Sequence, residues 1–528
     1  MSKIKSLILG SAASIAVVAG AQAADLPVKA KAVQYVKICS LYGAGFYYIP
    51  GTDTCIKLGG YIQLDVNIRS NNYNNPALLS AASGSGFVTG GGVIAGVSGT
   101  LSRDSDNYTT RSRAQFNVDT RTATEYGVVR TYWGSNFEHS SGWGPSSGNL
   151  TMDLGFIQFA GFTFGKAVST FVTPWSAYTA NINTSAFVSG ADDATGITMA
   201  AYTFQFGNGV SAQLSLEDNK TIMRAPVLNA GAALTAAYLF NGSTGAGSIA
   251  TAGANGAMFG TGGNLSPDIV GNILVDQSAF SFQLSAAAHN VNPSYYAATN
   301  YASTVTNELA GHPNDKWGWA ISGGLLLKNL PTGAGDKFAI DVTYTEGAPK
   351  YIISGTVGNS FYRFSGSGAG AYQSFAAAAL FDGVYGTQGS SLELTKVWGV
   401  RAGYLHNWSP TLETGVFGGY THVDYGSGAT AAIQSSLANS GLAFTKSGGW
   451  GTYNPDFNIW QVGARTAWTP VRNLTFSGEV LYTYLDQANS GTLSSTNTSN
   501  ATGYKPAGVY EYKDQGAWSG NLRVRRTF

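Results

Sequence analysis

Five histidines and two cysteines are the residues of this chain best suited to catalytic or metal chemistry. A hydrolytic nucleophile needs a histidine and a carboxylate held beside it, and tetrahedral zinc needs four Cys or His ligands. No histidine stands in a His-Glu-x-x-His sequence, and the chain has no Gly-x-x-x-x-Gly-Lys-Ser/Thr run. We therefore expect no enzyme active site, no metal and no cofactor. The histidines are His139, His289, His312, His406 and His422.

The first 23 residues are typical of a secretory signal peptide. Lys3 and Lys5 form a basic start, residues 7–19 are apolar, and residues 21–23 read Ala-Gln-Ala, a small-residue cleavage site. The apolar run is shorter than the roughly 18 residues that a spanning helix needs. We expect cleavage after about Ala23, with a retained membrane anchor as the alternative.

Export would carry the two cysteines, Cys39 and Cys55, into an oxidising periplasm. A disulfide closing a small loop around residues 42–45 is the expected outcome. A pair of buried free thiols is the alternative. We treat residues 24–54 as an N-terminal periplasmic segment that precedes the main domain.

The composition excludes some classes of partner and structure. Without the two signal-peptide lysines, 28 basic residues remain of the 30, against 29 acidic ones, so no basic surplus exists for binding nucleic acid. Charged residues make up only 11% of the chain, while Gly, Tyr and Phe are abundant. Beyond residue 23 no apolar run is long enough for a spanning helix, so a membrane role would have to use strands. A secreted adhesin would have a similar composition.

Period-two alternation is the strongest signal and begins at Ile56. Even positions from 56 to 68 are apolar or Gly, whereas most odd positions are polar. Side chains of a strand point alternately to opposite faces, so this run has one apolar face and one polar face. Its fourteen residues (56–69) exceed the five or six of an ordinary soluble strand. The same alternation recurs at residues 108–122, 209–218 and 473–485.

These runs, laid end to end, predict an all-β protein. Its fold would be a transmembrane antiparallel β-barrel of sixteen strands within residues 55–528, an even number as in bacterial single-chain barrels. The predicted strands lie near residues 55–69, 108–122, 126–136, 153–160, 162–167, 196–206, 209–218, 268–275, 279–289, 315–328, 337–346, 396–407, 411–424, 456–468, 473–485 and 515–528.

Connection lengths support the barrel. Short links such as residues 207–208 and 409–410 interleave with long ones such as 219–267 and 347–395. Short periplasmic turns and long external loops are the usual asymmetry of outer-membrane barrels. The long connections are rich in Gly, Ala, Ser, Thr and Asn, and taken alone they would look disordered.

The chain ends in an alternating strand closed by Phe528, and tryptophans cluster near strand ends. Aromatic girdles at headgroup level are a feature of membrane barrels. The terminal Phe528 resembles the signal that the barrel assembly machinery of the outer membrane recognises.

Two segments resemble alphaproteobacterial outer-membrane porins. Residues 36–61 read VKICSLYGAGFYYIPGTDTCIKLGGY, and residues 156–166 read FIQFAGFTFGK. The resemblance implies a homotrimer of sixteen-stranded barrels in the bacterial outer membrane, in contact with its lipid and lipopolysaccharide. Each barrel would have its third loop, about residues 167–195, folded inward to narrow the pore.

The resemblance also implies which residues line the constriction. Asp192 and Asp193 of the third loop would face a basic wall. Such an arrangement would set a transverse field that favours polar solutes. Alternatively, the two aspartates only cap a loop. The candidates for the basic wall are Arg111, Arg113, Arg130 and Arg69.

The expected function is passive diffusion of ions and small hydrophilic solutes through a water-filled lumen. A substrate-selective channel for a sugar or an anion is the principal alternative. An adhesin built from the long loops, or an outer-membrane phospholipase or protease, fits the residues less well.

Overall fold

The fold is taken from a computed structural model. It describes residues 37–68, 87–89, 92–94, 108–141, 148–175, 189–191, 196–220, 222–231, 260–296, 308–353, 359–366, 370–439, 443–446, 448–495 and 508–528. The predicted signal peptide, residues 1–23, lies outside them.

Sixteen antiparallel strands of the described chain close into one barrel, which confirms the predicted fold class. Each strand pairs with the next one along the chain. The last strand pairs with the first from Tyr61 opposite Thr527 to Ile68 opposite Gly520. The strands are β1 Thr54–Ile68, β2 Tyr108–Thr124, β3 Gly127–Ser140, β4 Asn149–Phe159, β5 Phe162–Val168, β6 Gly196–Gly207, β7 Val210–Glu217, β8 Asp268–Asp276, β9 Phe280–Val291, β10 Lys316–Lys328, β11 Lys337–Glu346, β12 Lys396–Ser409, β13 Leu412–Asp424, β14 Phe457–Val471, β15 Leu474–Gln487 and β16 Gln515–Thr527.

The alternation seen in the sequence separates the two faces of the wall. On β1 the side chains of Ile62 and Leu64 are exposed on the outer surface, and those of Gln63, Asp65 and Asn67 are buried on the inner one. An apolar outer face suits lipid, and the polar inner face encloses the lumen. A register slip of one residue would exchange the two faces, so burial fixes the register along the whole strand.

Tight turns join the strands at one end of the barrel. Asn208 and Asn473 occupy these turns with φ of 51° and 66°, in the left-handed region that Asn tolerates better than most residues. The long connections leave from the opposite end, as the loop lengths predicted. We refer to that end as the outer end.

The long connections contain ordered structure, contrary to what their composition alone suggested. Parts of three of them form a five-stranded sheet in the order Ser360–Phe364, Gln373–Ala379, Gly508–Tyr512, Gly491–Ser495 and Ala443–Phe444. Helix α1, Gly426–Ala438, lies beside it. The remaining short strands are Tyr47–Tyr48, Phe87–Thr89, Gly92–Ile94, Val227–Asn229, Gly383–Tyr385 and Glu393–Leu394, and the 3-10 helices are Ser40–Tyr42, Glu308–Ala310, Pro349–Tyr351 and Gly449–Thr452.

A small hairpin precedes β1. Tyr47–Tyr48 pairs with the start of β1, and a disulfide joins Cys39 to Cys55 with their Cα atoms 6.0 Å apart. The guanidinium of Arg121 lies 4.8 Å from the ring centre of Phe46, a cation–π contact that holds the hairpin against β2. In the part of the chain that the structure describes, no helix has the length and apolar character needed to cross a membrane.

Barrel closure depends on a glycine. The backbone of Gly60 exchanges two hydrogen bonds with Phe528, at 3.2 and 3.0 Å. A Cβ at position 60 would lie 2.0 Å from the carbonyl oxygen of Gln115 on β2, whereas a Cβ at Gly59 would meet nothing nearer than 3.5 Å.

We predict that Gly60→Ala destabilises the closed barrel by about 1–3 kcal/mol, because the added methyl forces β1 and β2 apart. The temperature at which the purified barrel loses its compact migration in a denaturing gel should fall. Gly59→Ala is the matched control and should leave that temperature unchanged. Equal behaviour of the two variants would contradict this explanation of closure.

Candidate functional site

The described residues of the connection between β5 and β6, the third external loop, contact the inner wall. The Ser169 hydroxyl donates to Glu217 at 2.7 Å, and the Thr170 amide donates to the same carboxylate at 3.0 Å. The Gln283 side-chain amide on β9 donates to the carbonyl of Val172 at 3.1 Å. The loop therefore runs along the inside of the barrel from β7 towards β9.

A second carboxylate holds the loop further round the wall. Asp341 on β11 accepts hydrogen bonds from the Thr173 hydroxyl at 3.1 Å and from the Trp175 indole N–H at 3.2 Å. The same carboxylate pairs with Arg401 of β12 at 2.9 Å. At the far end of the loop, the Ser189 and Thr421 hydroxyls are 2.7 Å apart. The described parts of the loop thus cover the inner wall from β7 to β13.

Apolar packing supports these polar contacts. Phe171 and Val172 of the loop pack in one buried cluster with Ile197, Met199 and Val270 of β6 and β8. Burial of a Phe side chain contributes about 1.5–3 kcal/mol. The loop is therefore held against the wall by a shared apolar cluster as well as by hydrogen bonds.

The opposite part of the inner wall, on β14–β16 and β1–β3, is rich in arginine. Asp65 pairs with Arg111 and with Arg523, each at 2.6 Å. Glu138 pairs with Arg113 at 2.6 Å and lies 3.5 Å from Arg111. Carboxylates of the wall thus share the arginines, which offsets the desolvation of charges held inside the barrel.

Other arginines of this wall are more open. Asp119 pairs with both Arg121 and Arg130 at 3.0 Å. Arg525 donates to the Gln63 side chain at 2.7 Å and lies 4.4 Å above the ring of Tyr61. Within the described chain, Arg525 has no carboxylate at ion-pair distance.

The predicted site residues fall into two groups. Arg111, Arg113 and Arg130 lie on the inner wall, where the alternation put them, and their role towards solutes stays a prediction. Their side chains are 1%, 11% and 29% exposed, so contact with a solute would fall mainly to Arg130 and Arg113. Asp192, Asp193 and Arg69 lie outside the described residues.

Sequence reasoning missed several charged residues of the inner wall. Arg523 and Arg525 stand two apart on the last strand, and the alternation that ends at Phe528 could have placed them inside. Asp341 and Arg401 are direct cross-strand neighbours, which only the register between β11 and β12 reveals. The missed residues are Glu217, Asp341, Arg401, Arg465, Arg523 and Arg525.

A cavity of about 500 Å³ adjoins the arginine-bearing wall near the short turns. Arg465, Arg523 and Arg525 line it together with hydroxyls of β14 and β15, such as Thr469 and Thr475. Such a lining is polar and basic, so it can hold water and small ions.

A buried ionic cluster lies at the outer ends of β8 and β9. His289 is 2.7 Å from Asp268 and 3.4 Å from Asp382, and the Tyr351 hydroxyl donates to Asp268 at 2.7 Å. Burial raises the pKa of the Asp382 carboxyl, and burial lowers the pKa of Lys350 to about 7, partly opposed by the charge of Asp382. The cluster joins the connection between β11 and β12 to the wall.

The described residues contain no group of His, Cys, Asp and Glu that could hold a metal ion. Residues 144–148 match the letters Gly-x-Ser-x-Gly of a hydrolase nucleophile. Residues 144–147 of this match lie outside the described residues.

Comparison with known proteins gives a family and a fold. A family model described as "Porin subfamily" matches residues 25–521. Porin Omp2b of Brucella suis is 33% identical over 223 residues, 40% of this chain and 52% of that protein. Porin Omp2b of Brucella abortus (strain 2308) is 34% identical over 224 residues, 40% of this chain and 54% of that protein. The chain thus spans about half the length of the curated relatives it matches.

A solved structure gives the same architecture. The outer membrane channel DcaP of Acinetobacter baumannii superposes with a TM-score of 0.53 at 14% identity, covering 91% of this chain and 99% of that one. At this identity the match establishes the fold alone.

We predict that Asp341→Asn loosens the third loop. The amide loses the charge that binds Arg401 and weakens the two loop contacts, each charge-assisted bond contributing about 1.5–3 kcal/mol. Brief closures and current noise in single-channel recordings should become more frequent. Asp276→Asn, at a turn carboxylate paired with Lys328, is the control. If closures and current noise in Asp341→Asn were no more frequent than in the intact chain, Asp341 would not be the residue that holds the third loop.

Proposed function

This chain belongs to the porin family whose model it matches over residues 25–521, and from that membership we propose that it forms a water-filled outer-membrane channel. Ions and small hydrophilic solutes would cross it by passive diffusion, with no catalysis and no cofactor. The observation that supports the proposal is the polar, arginine-bearing wall opposite the third loop, because a solute crossing the lumen needs a hydrated path.

The same proposal includes the setting of the channel. Residues 1–23 would be removed as a signal peptide, and the barrel assembly machinery would recognise Phe528. The protein would assemble as a homotrimer among outer-membrane lipid and lipopolysaccharide.

The constriction follows the same scheme. Asp192 and Asp193 would face Arg113 and Arg130 across the gap that the third loop leaves open, with Arg111 and Arg69 behind or beside them. Opposed charges would hold water and polar solutes in preference to apolar ones.

An anion-preferring channel is a second candidate, favoured by one observation. Arg525 has no carboxylate at ion-pair distance among the described residues, and it lines the same cavity as Arg465 and Arg523. Local positive charge raises the concentration of anions in a narrow passage.

The deciding measurement for the channel is the conductance of the purified, folded protein in a planar bilayer. We expect stable steps of current that rise in proportion to voltage and to salt concentration. A protein that is folded by its gel migration and inserts without producing such steps would refute the proposed function.

We predict that Arg525→Gln lowers the anion-to-cation permeability ratio about two-fold, because it removes an uncompensated positive charge from the passage. The reversal potential in a salt gradient measures this ratio. Arg526→Gln is the matched control, since the neighbouring side chain points to the other face of β16. An unchanged ratio in Arg525→Gln would remove Arg525 from the ion path.

A further inference from the structure

The inner face of five adjacent strands, β12–β16, changes character at its outer end. Towards the middle of the barrel it carries buried polar side chains such as Arg401, Gln461 and Thr483. Nearer the outer end most side chains on the same face are apolar and almost completely buried. We call these outer residues the apolar rim: Val397, Val423, Phe457, Ile459, Leu485 and Ala517.

An apolar surface inside a water-filled barrel would be unfavourable unless something covered it. The cover is formed by the five-stranded sheet and helix α1 of the long connections, which we call the cap. Phe361, Phe364 and Phe375 of the cap are at most 1% exposed and belong to one buried cluster with the whole apolar rim. Ile433 and Leu437 of helix α1 complete this core.

Polar contacts fix the cap inside the mouth of the barrel. Gln487, at the outer end of β15, donates to the carbonyl of Phe375 at 3.1 Å and accepts from the amide of Ala377 at 3.2 Å. The Tyr425 hydroxyl donates to the carbonyl of Ala379. Strand Gln373–Ala379 is therefore seated against the inner wall.

The cap draws on three different connections, which makes it a single folded unit. Strand Gln373–Ala379 pairs with Gly508–Tyr512, and the latter pairs with Gly491–Ser495. Opening this unit would expose its aromatic core and break sheet hydrogen bonds together. Its packing is that of a fixed element rather than of a swinging lid.

The inner wall of β1–β3 differs from that of β12–β16 at the same height. Its outer end carries Asp65, Asn67 and Glu138, which are polar, although they too are almost completely buried. The third loop covers the wall from β7 to β13, and the cap covers the outer end of β12–β16. The third loop and the cap thus occupy part of the lumen and leave a path for solutes that is narrower than the bare barrel.

We propose that the cap is a fixed outer size filter, in series with the third loop. It closes the β12–β16 side of the outer mouth, so large solutes are excluded before they reach the constriction. This inference rests on the proposed channel function and adds to it a second determinant of which solutes pass.

The test compares the intact chain with a variant in which residues 360–379 are replaced by a short Gly-Ser linker. Single-channel conductance and the rate of entry of a tetrasaccharide relative to a monosaccharide into proteoliposomes are the readouts. We expect both to rise at least about two-fold, because permeation depends on the width of the path. Phe476→Ala, on the lipid-facing side of β15, is the control and should change neither.

A single substitution in the wall tests the same proposal without deleting part of the cap. Gln487→Ala removes two of the polar contacts that fix the cap and leaves its core intact, and the rise should be smaller but in the same direction. Folding of each variant is checked by its compact gel migration. Should the linker variant fail to fold, the Gln487→Ala result decides.

The outcomes separate the two proposals. Stable currents from the intact chain with an unchanged saccharide ratio in the folded variants would overturn the cap as a filter and leave the channel standing. A folded intact chain that conducts nothing would instead refute the proposed function, and the filter with it.

Discussion

A barrel in lipid must pair all its backbone N–H and C=O groups internally, because the hydrocarbon core offers no water to satisfy them. This constraint decides the architecture: sixteen strands form one antiparallel sheet whose last strand pairs with its first. Closure brings Phe528 against Gly60, where only a glycine leaves room for the neighbouring strand. The polar inner face then follows from the alternation of side chains along each strand.

A polar interior raises its own problem, since charges confined there lose part of their hydration. Ion pairs on the wall compensate for this loss. Asp65 and Asp119 each pair with two arginines, and Asp341 pairs with Arg401 and also binds the third loop. Elsewhere the third loop and the cap cover the wall and pack apolar side chains against it. The inner surface is thus divided into a part covered by the third loop and the cap and an arginine-bearing part, in which Arg121 and Arg130 are the more exposed.

Much of the fold could be predicted because one signal, period-two alternation, recurs in several strands. Together with the alternating loop lengths, it indicates the number of strands and which side chains face inward. That signal also placed Arg111, Arg113 and Arg130 on the inner wall. It could not reveal partners such as Asp341 and Arg401, because pairs across strands depend on register. Nor could it reveal the apolar rim: Phe457 and Ile459 appear as ordinary strand residues until the cap that covers them is known. Composition wrongly suggested that the long connections are disordered, because the buried phenylalanines of the cap are few among many small residues.

We propose a passage that follows the arginine-bearing wall and leaves the wall under the third loop closed. Reaction of single introduced cysteines with a charged thiol reagent during current recording tests it most directly, because Cys39 and Cys55 are bonded to each other. Ser477→Cys lies in the cavity on the open side, and Thr421→Cys lies beneath Ser189 of the loop. We expect the reagent to reduce the current through Ser477→Cys and to leave the current through Thr421→Cys unchanged. Block at Thr421→Cys with no effect at Ser477→Cys would contradict it.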